Sequence, residues 1–229
     1  MRRGRKLAKR GLQEVNQRAV KKEHRPEIPR KTVYRLSIYL RCLQRLKSNG
    51  IRTVSSDALS KAAGVKSAQL RKDLTYFGQF GTRGLGYDVE LLAKMISGLL
   101  GTSSLQPVIL VGVGNLGAAL LSYRGFEQEG FEIVAAFDND PAKLKSRNLP
   151  KTVEGIDKLP GFLRATPVKM GIIAVPAPAA QEVANLLVAN GIAGILNFSP
   201  AVIQVPDEVI VNSVNLAIEL ENLSYFVRS

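Results

Sequence analysis

The stretch "VILVGVGNLGAALL", residues 108–121, constrains this chain more than any other part of it. Val108 to Val111 form a continuous apolar run, as a strand buried on both faces requires. Gly112, Gly114 and Gly117 follow at the spacing GxGxxG, and the sequence then turns helical. In such a strand–turn–helix the first glycine permits a tight turn and the second lets backbone approach a pyrophosphate. The third lets the helix close onto the strand, and the anion rests at the helix N-terminus. "FEIVAAFDND" reads as a second strand ending at Asp138, 21 residues after Gly117. A carboxylate there accepts hydrogen bonds from a ribose diol and repels a 2′-phosphate. The stretch therefore predicts a dinucleotide site made by Gly112, Val113, Gly114, Asn115, Leu116, Gly117 and Asp138, favouring NAD or NADH over their phosphorylated forms. Asp140 is the alternative acid, and a purely structural βαβ turn is the competing reading.

Beyond this unit the pattern keeps alternating. "MGIIAVPAPAAQEVANLLVANG" reads as a strand over 170–175, a turn at Pro176 and a helix; "GILNFSP" and "VIVNSV" are further strands. The expectation is an α/β fold with a Rossmann-type, doubly wound parallel sheet over residues 107–214. Its strand ends near Val175, Pro176 and Asn197 border the crevice where a nicotinamide lies in such folds. A dehydrogenase also needs a proton donor or acceptor and a substrate domain. The one histidine, His24, lies far upstream among basic residues, and about 120 residues from 107 onward complete the nucleotide fold and leave no second domain. The dinucleotide is thus expected to be a signal, with no catalytic residue, no metal and no enzyme activity.

The charge is divided unevenly. Residues 1–87 hold 22 Lys+Arg against 5 Asp+Glu, while the remainder holds 10 against 14. Such asymmetry points to a polyanion partner for the first part alone. Residues 1–30, with no hydrophobic period, read as a disordered basic arm. Val33, Leu36, Leu40, Leu43 and Leu46 then recur at helical spacing until Asn49-Gly50. In "VSSDALSKAAGVKSAQLRKDLTYFG" (54–78), Ser56 and Ser67 are the expected N-caps of two short helices joined at Gly64-Val65. Leu70, Leu74 and Phe77 face inward on the second, leaving Gln69, Arg71, Lys72 and Thr75 outward. "FGQFGTRGLGY" (77–87) reads as a short β-hairpin with Arg83 near its tip. Helix-turn-helix plus basic hairpin is the plan of a winged helix, expected over residues 31–101. Its second helix enters the major groove of double-stranded DNA, and Ser67, Gln69, Arg71, Lys72 and Arg83 are the expected contacts. Asp88 caps a further helix with Leu91, Leu92, Met95, Ile96 and Leu99 inward, and "TSSLQP" (102–107) is the link. A lone Cys42 excludes an intrachain disulfide. No stretch reaches the ~18–20 apolar residues of a membrane span, so a cytoplasmic protein is expected.

"VSSDALSKAAGVKSAQLRKDLTYFGQFGTRGLGY", "ILVGVGNLG", "AVPAPAAQ" and "GILNFSP" together resemble Rex, a family of bacterial redox-sensing repressors. The resemblance implies a homodimer that binds inverted-repeat operator DNA and is released by NADH. It places Arg71, Lys72 and Arg83 on DNA, and Gly112 to Gly117 with Asp138 on the cofactor. It also implies that the last helix, residues 215–229, is swapped into the partner subunit; Leu216, Leu220, Leu223 and Phe226 form an apolar stripe consistent with that, or with packing on its own domain. Arg41, Tyr123 and position 215 match the family's switch contact. Rex-like chains commonly carry Asp at that last position, and this chain has Asn215. The competing readings are an NAD-dependent oxidoreductase with a basic extension, a DNA-binding regulator of S-adenosylmethionine or coenzyme A, and a nonspecific nucleic-acid binder.

Overall fold

The computed structural model describes residues 28–78, 81, 84–144 and 148–227. Nearly all of the basic arm, Arg83 and most of the expected hairpin tip lie outside the described residues. The chain divides into two compact units, with the break between Leu100 and Gly101.

In the first unit, α1 (Arg30–Ser48) buries Thr32, Leu36, Tyr39, Leu40 and Leu43. Val33, expected on that face, is exposed, and Thr32 takes the inward position one residue earlier. The helix stops at Asn49, followed by Gly50 at φ +73°. After β1 (Thr53–Val54) comes α2 (Ser56–Ala62), whose N-cap is Ser55: its hydroxyl accepts the Ala58 N–H at 3.1 Å. Ser56 is therefore the first helical residue, and the expected cap is off by one. The same correction applies to α3 (Ser67–Thr75), where Lys66 holds the cap position. The Ser67 hydroxyl instead donates to Asp57 on α2, so it ties the two helices together. β2 (Tyr87–Asp88) pairs antiparallel with β1, so among the described residues the return strand of the glycine-rich segment finds its partner upstream. Gly86 makes this possible: a Cβ there would sit 2.3 Å from the Val54 carbonyl oxygen. Asp88 caps α4 (Val89–Leu100) by accepting the Leu91 N–H at 2.7 Å. That helix buries Val89, Leu92 and Ile96, while Leu91 and Leu99, expected inward, are exposed. One core results, joining Leu36, Tyr39 and Leu43 of α1 to Leu59, Leu70, Leu74, Leu92 and Ile96. Each fully buried side chain of this size contributes about 1.5–3 kcal/mol.

The second unit runs β3 (Gln106–Val111), α5 (Asn115–Ser122), α6 (Gly125–Gln128), β4 (Phe131–Asp138) and β5 (Val153–Gly155). It continues with α7 (Leu159–Ala165), β6 (Met170–Ile173), α8 (Ala177–Ala189), β7 (Gly194–Asn197), β8 (Ile210–Ser213) and α9 (Leu216–Val227). The strands form one parallel sheet in the order β5-β4-β3-β6-β7-β8. This is the doubly wound order in which the chain reverses direction across the sheet between β3 and β6. Ile109, Val111, Phe137 and Ile173 bury one face against α7 and α8. Val108, Leu110, Ile133 and Ile172 bury the other against Leu121 of α5. The alternation puts both faces of β3 in the core, which is why its sequence is apolar without interruption. α9 buries none of its residues.

Candidate functional site

The crevice at the β3–β6 reversal is built by the glycine turn. Gly112 adopts φ +93°, and a Cβ there would lie 2.6 Å from the Ala174 carbonyl oxygen, so no other residue fits between β3 and β6. Backbone bonds stitch the turn on both sides: Gly112 N–H to Phe137 O and Ala174 N–H to Val111 O, both 2.8 Å. Gly117 is held even closer, since a Cβ on it would sit 1.9 Å from the Gly112 carbonyl oxygen. Beside Gly114 the space is open, and α5 begins there without a side-chain cap. Its first-turn N–H groups, with the positive end of the helix dipole, suit an anion.

A cavity of about 890 Å³ opens from this turn. Gly112, Gly114, Asn115 and Leu116 line one end, Asp138 and Asn139 the middle, and Val175 and Pro176 the rim between β6 and α8. Three expected residues do not line it. Val113 and Gly117 are buried beneath the turn, where they shape it. Asn197 is fully buried and its side chain is spent on the loop after β7 and on the end of β8. Its amide donates to Ala201 O at 2.9 Å and to Ser213 Oγ at 3.4 Å, and its oxygen accepts the Ser199 N–H at 2.9 Å. The next residue, Phe198, reaches the cavity instead. Ile156 and Leu186 also line it and were not foreseen, although Ala179, Val183 and Leu186 recur at helical spacing. Asp138 holds the turn as well as facing the cavity: one carboxylate oxygen accepts the Val113 N–H at 2.7 Å and the other the Asp140 N–H at 2.9 Å. The strand-end acid is thus already locked to the glycine turn.

On α3, Arg71 and Lys72 are exposed, Arg71 donating to Ser56 Oγ at 3.0 Å. Gln69, expected to face outward, is half-buried and donates to Asp73 Oδ1 at 2.8 Å. Asp73, which the sequence pattern passes over, is wholly buried. It accepts from Arg35 Nε and Nη2 at 2.5 and 2.7 Å, from the Tyr39 hydroxyl at 2.8 Å and from Thr32 Oγ1 at 3.3 Å. Burial pushes its carboxyl up, but the bonds from Arg35, Tyr39 and Gln69 outweigh burial and hold it below the usual carboxylate range. Burial, reinforced by Asp73, pushes the Tyr39 hydroxyl well above its ordinary value, so it stays a donor. Of the three expected switch residues, Arg41 is exposed on α1. Tyr123 is exposed at the end of α5, its ring edge-on to Phe126 at 5.1 Å. Asn215 caps α9, its oxygen accepting the Ala217 N–H at 3.0 Å. Among the described residues no group of His, Cys, Asp and Glu could hold a metal ion, and no helix is long and apolar enough to cross a membrane.

Two family models match the chain, described as "Putative DNA-binding protein N-terminus" over residues 27–75 and "CoA binding domain" over residues 103–201. They fall on the two units in turn. Among solved structures, the crystal structure of RSP in complex with β-NAD⁺ and operator DNA superposes with a TM-score of 0.80 at 36% identity, covering 87% of this chain and 92% of that one. RSP in complex with β-NADH gives a TM-score of 0.78 at 34% identity, covering 88% and 94%. The redox-sensing transcriptional repressor Rex of Carboxydothermus hydrogenoformans is 50% identical over 202 residues, 88% of this chain and 97% of the relative. Identity of that depth over both units together, and not over the nucleotide fold alone, places the chain in the Rex family of redox-sensing transcriptional repressors.

Proposed function

We propose that the protein is a cytoplasmic, homodimeric repressor that holds two-fold operator DNA and lets it go when NADH fills the second unit. The observation that carries this reading is Asp138, bonded through its carboxylate to the glycine turn at the end of β4. It is joined in one chain to a helix that exposes Arg71 and Lys72. The pyrophosphate rests on the N–H groups of Gly114 to Leu116 at the start of α5. The adenosine ribose meets Asp138, and the nicotinamide points past Val175 and Pro176. α3 lies in the major groove, where Lys72 and Arg71 donate to base edges and phosphates, and Arg83 contacts the backbone or minor groove. RSP, a Rex-family repressor, has been crystallised with NAD⁺ and operator DNA and with NADH, which supports the pairing of these ligands.

A ligand shifts such an equilibrium only by its differential affinity for the two states. An inverted repeat fixes the distance between the two α3 helices at about 34–36 Å or a multiple, so a modest change in how the units are held suffices to spoil binding. α9 is the natural transmitter. Its Leu216, Leu220, Leu223 and Phe226 are all exposed, and an apolar cavity of about 300 Å³ lies uncovered along β6, β7 and β8. Exchange of α9 between subunits covers both kinds of surface. Arg41, Tyr123 and Asn215 are the contacts by which the exchanged helix senses the ligand.

The "CoA binding domain" match favours coenzyme A as the rival ligand. Asp138 argues against it, since coenzyme A carries a 3′-phosphate on the ribose that this carboxylate would face. Titration of the purified protein with NADH, NAD⁺ and coenzyme A decides: NADH binding is expected, and tighter binding of coenzyme A would overturn the ligand assignment.

A further inference from the structure

Asp73 is the one fully buried charged side chain among the described residues, and nothing in ligand or DNA contact explains it. It occupies the inward face of α3 beside Leu70 and Leu74, where a leucine would extend the apolar stripe. Replacing a buried ion pair by apolar residues of similar volume is often neutral or stabilising. Stability alone therefore gives no reason for an acid here. What an acid adds is direction. Apolar burial is indifferent to rotation and sliding, whereas hydrogen bonds weaken steeply off their axis.

The directions are well defined. Thr32, Arg35 and Tyr39 lie at i, i+3 and i+7 on one face of α1, and all three donate to the Asp73 carboxylate. Arg35 approaches with two nitrogens, the forked geometry that fixes orientation as well as distance, and its Nη2 also donates to Thr32 Oγ1 at 3.1 Å. Gln69 donates from one turn earlier on α3 itself. Asp73 follows Arg71 and Lys72 directly. In a helix one residue of slip is about 1.5 Å along the axis with about a quarter-turn of rotation, enough to move a side chain from one base pair to the next.

We propose that Asp73 is a positioning residue: with Thr32, Arg35 and Tyr39 it clamps α3 in one rotation and register on α1, so that Lys72 and Arg71 meet base edges without a search. The proposal rests on the operator-binding reading and deepens it, assigning sequence discrimination to a group that touches no DNA.

The test separates discrimination from folding. An inverted-repeat duplex is first selected from a random pool by the full-length wild type. Dissociation constants for it and for a random duplex of equal length are then measured by fluorescence anisotropy, alongside thermal melting. In the double variant Asp73→Leu, Arg35→Met, apolar volume replaces the ion pair. It is expected to stay folded, melting below wild type because the buried Tyr39 and Thr32 hydroxyls lose their acceptor. It should bind the random duplex unchanged, yet lose preference for the selected duplex by about tenfold or more, the cost of misreading one base pair. Tyr39→Phe, which removes one bond and keeps the ring, gives a smaller loss in the same direction and decides the matter if the double variant does not fold. Full preference in a folded double variant, or in Tyr39→Phe when the double variant is unfolded, overturns the clamp. A wild type that selects no sequence overturns the repressor reading and the clamp with it.

Discussion

Asp138 offers the sharpest quantitative handle. An ionised carboxylate has about four lone-pair positions, of which the Val113 and Asp140 N–H groups take one on each oxygen. One remains on each, enough for the two hydroxyls of a ribose. A hydrogen bond to a charged group contributes about 1.5–3 kcal/mol net, so two at the lower end give about 3 kcal/mol, or a Kd about 100-fold weaker in Asp138→Ala. Discrimination should fall at the same time. A 2′-phosphate placed about 4 Å from the carboxylate is repelled by about 4 kcal/mol at an effective dielectric of about 20, a barrier that alanine lacks. The wild type should thus bind NADH far better than NADPH, and Asp138→Ala should bind the two alike. The chain has no tryptophan, so reduced nicotinamide fluorescence can be titrated without indole overlap. Equal affinity of the wild type for NADH and NADPH, or an unchanged NADH Kd in Asp138→Ala, would refute the reasoning.

Three further outcomes follow from the same geometry. Gly117→Ala puts a methyl group 1.9 Å from the Gly112 carbonyl oxygen, a backbone atom that cannot swing away. α5 must lift off β3, which should cost about 1–3 kcal/mol in a thermal melt and abolish NADH binding; retained binding would mean that the anion is held elsewhere. Lys72→Ala should weaken operator binding by about 1–3 kcal/mol while barely altering random-duplex binding, as anisotropy will report; an equal loss on both would make Lys72 a phosphate contact. Truncation before Asn215 removes the exposed stripe of α9 and should give monomers by light scattering that still bind random duplex but ignore NADH. A dimeric truncate would place the interface outside this helix.

The parts legible in sequence were those whose partners are near in the chain. The glycine turn, β4 and Asp138 lie within about thirty residues, and the residue types state their geometry outright: an apolar run, glycines at fixed offsets and an acid at a strand end. Asp88 as a cap is equally local. Helix caps slipped by one where Ser55 and Ser56 are chemically equivalent and only the backbone angle chooses between them. Leu91 and Leu99 read as core because periodicity marks an apolar face without saying how much of it a small unit can cover. Asp73 was invisible for the opposite reason: its donors Thr32, Arg35 and Tyr39 sit 34 to 41 residues away, and a charged residue in a helix defaults to the solvent side until they are in place. Asn197 misled because its strand end borders the crevice while its side chain turns back into the loop. The pairing of β2 with β1 likewise joins segments that local turn chemistry does not connect.

The central claim is that dinucleotide occupancy of the second unit sets the DNA affinity of the first. It is tested most directly by loading the full-length protein on a labelled inverted-repeat duplex and titrating NADH and NAD⁺ in separate arms at constant salt, with anisotropy reporting the bound fraction. NADH should release the duplex at concentrations where NAD⁺ leaves it bound, and the random duplex should be far less responsive. Release by neither nucleotide, or by both at the same concentration, would contradict the account.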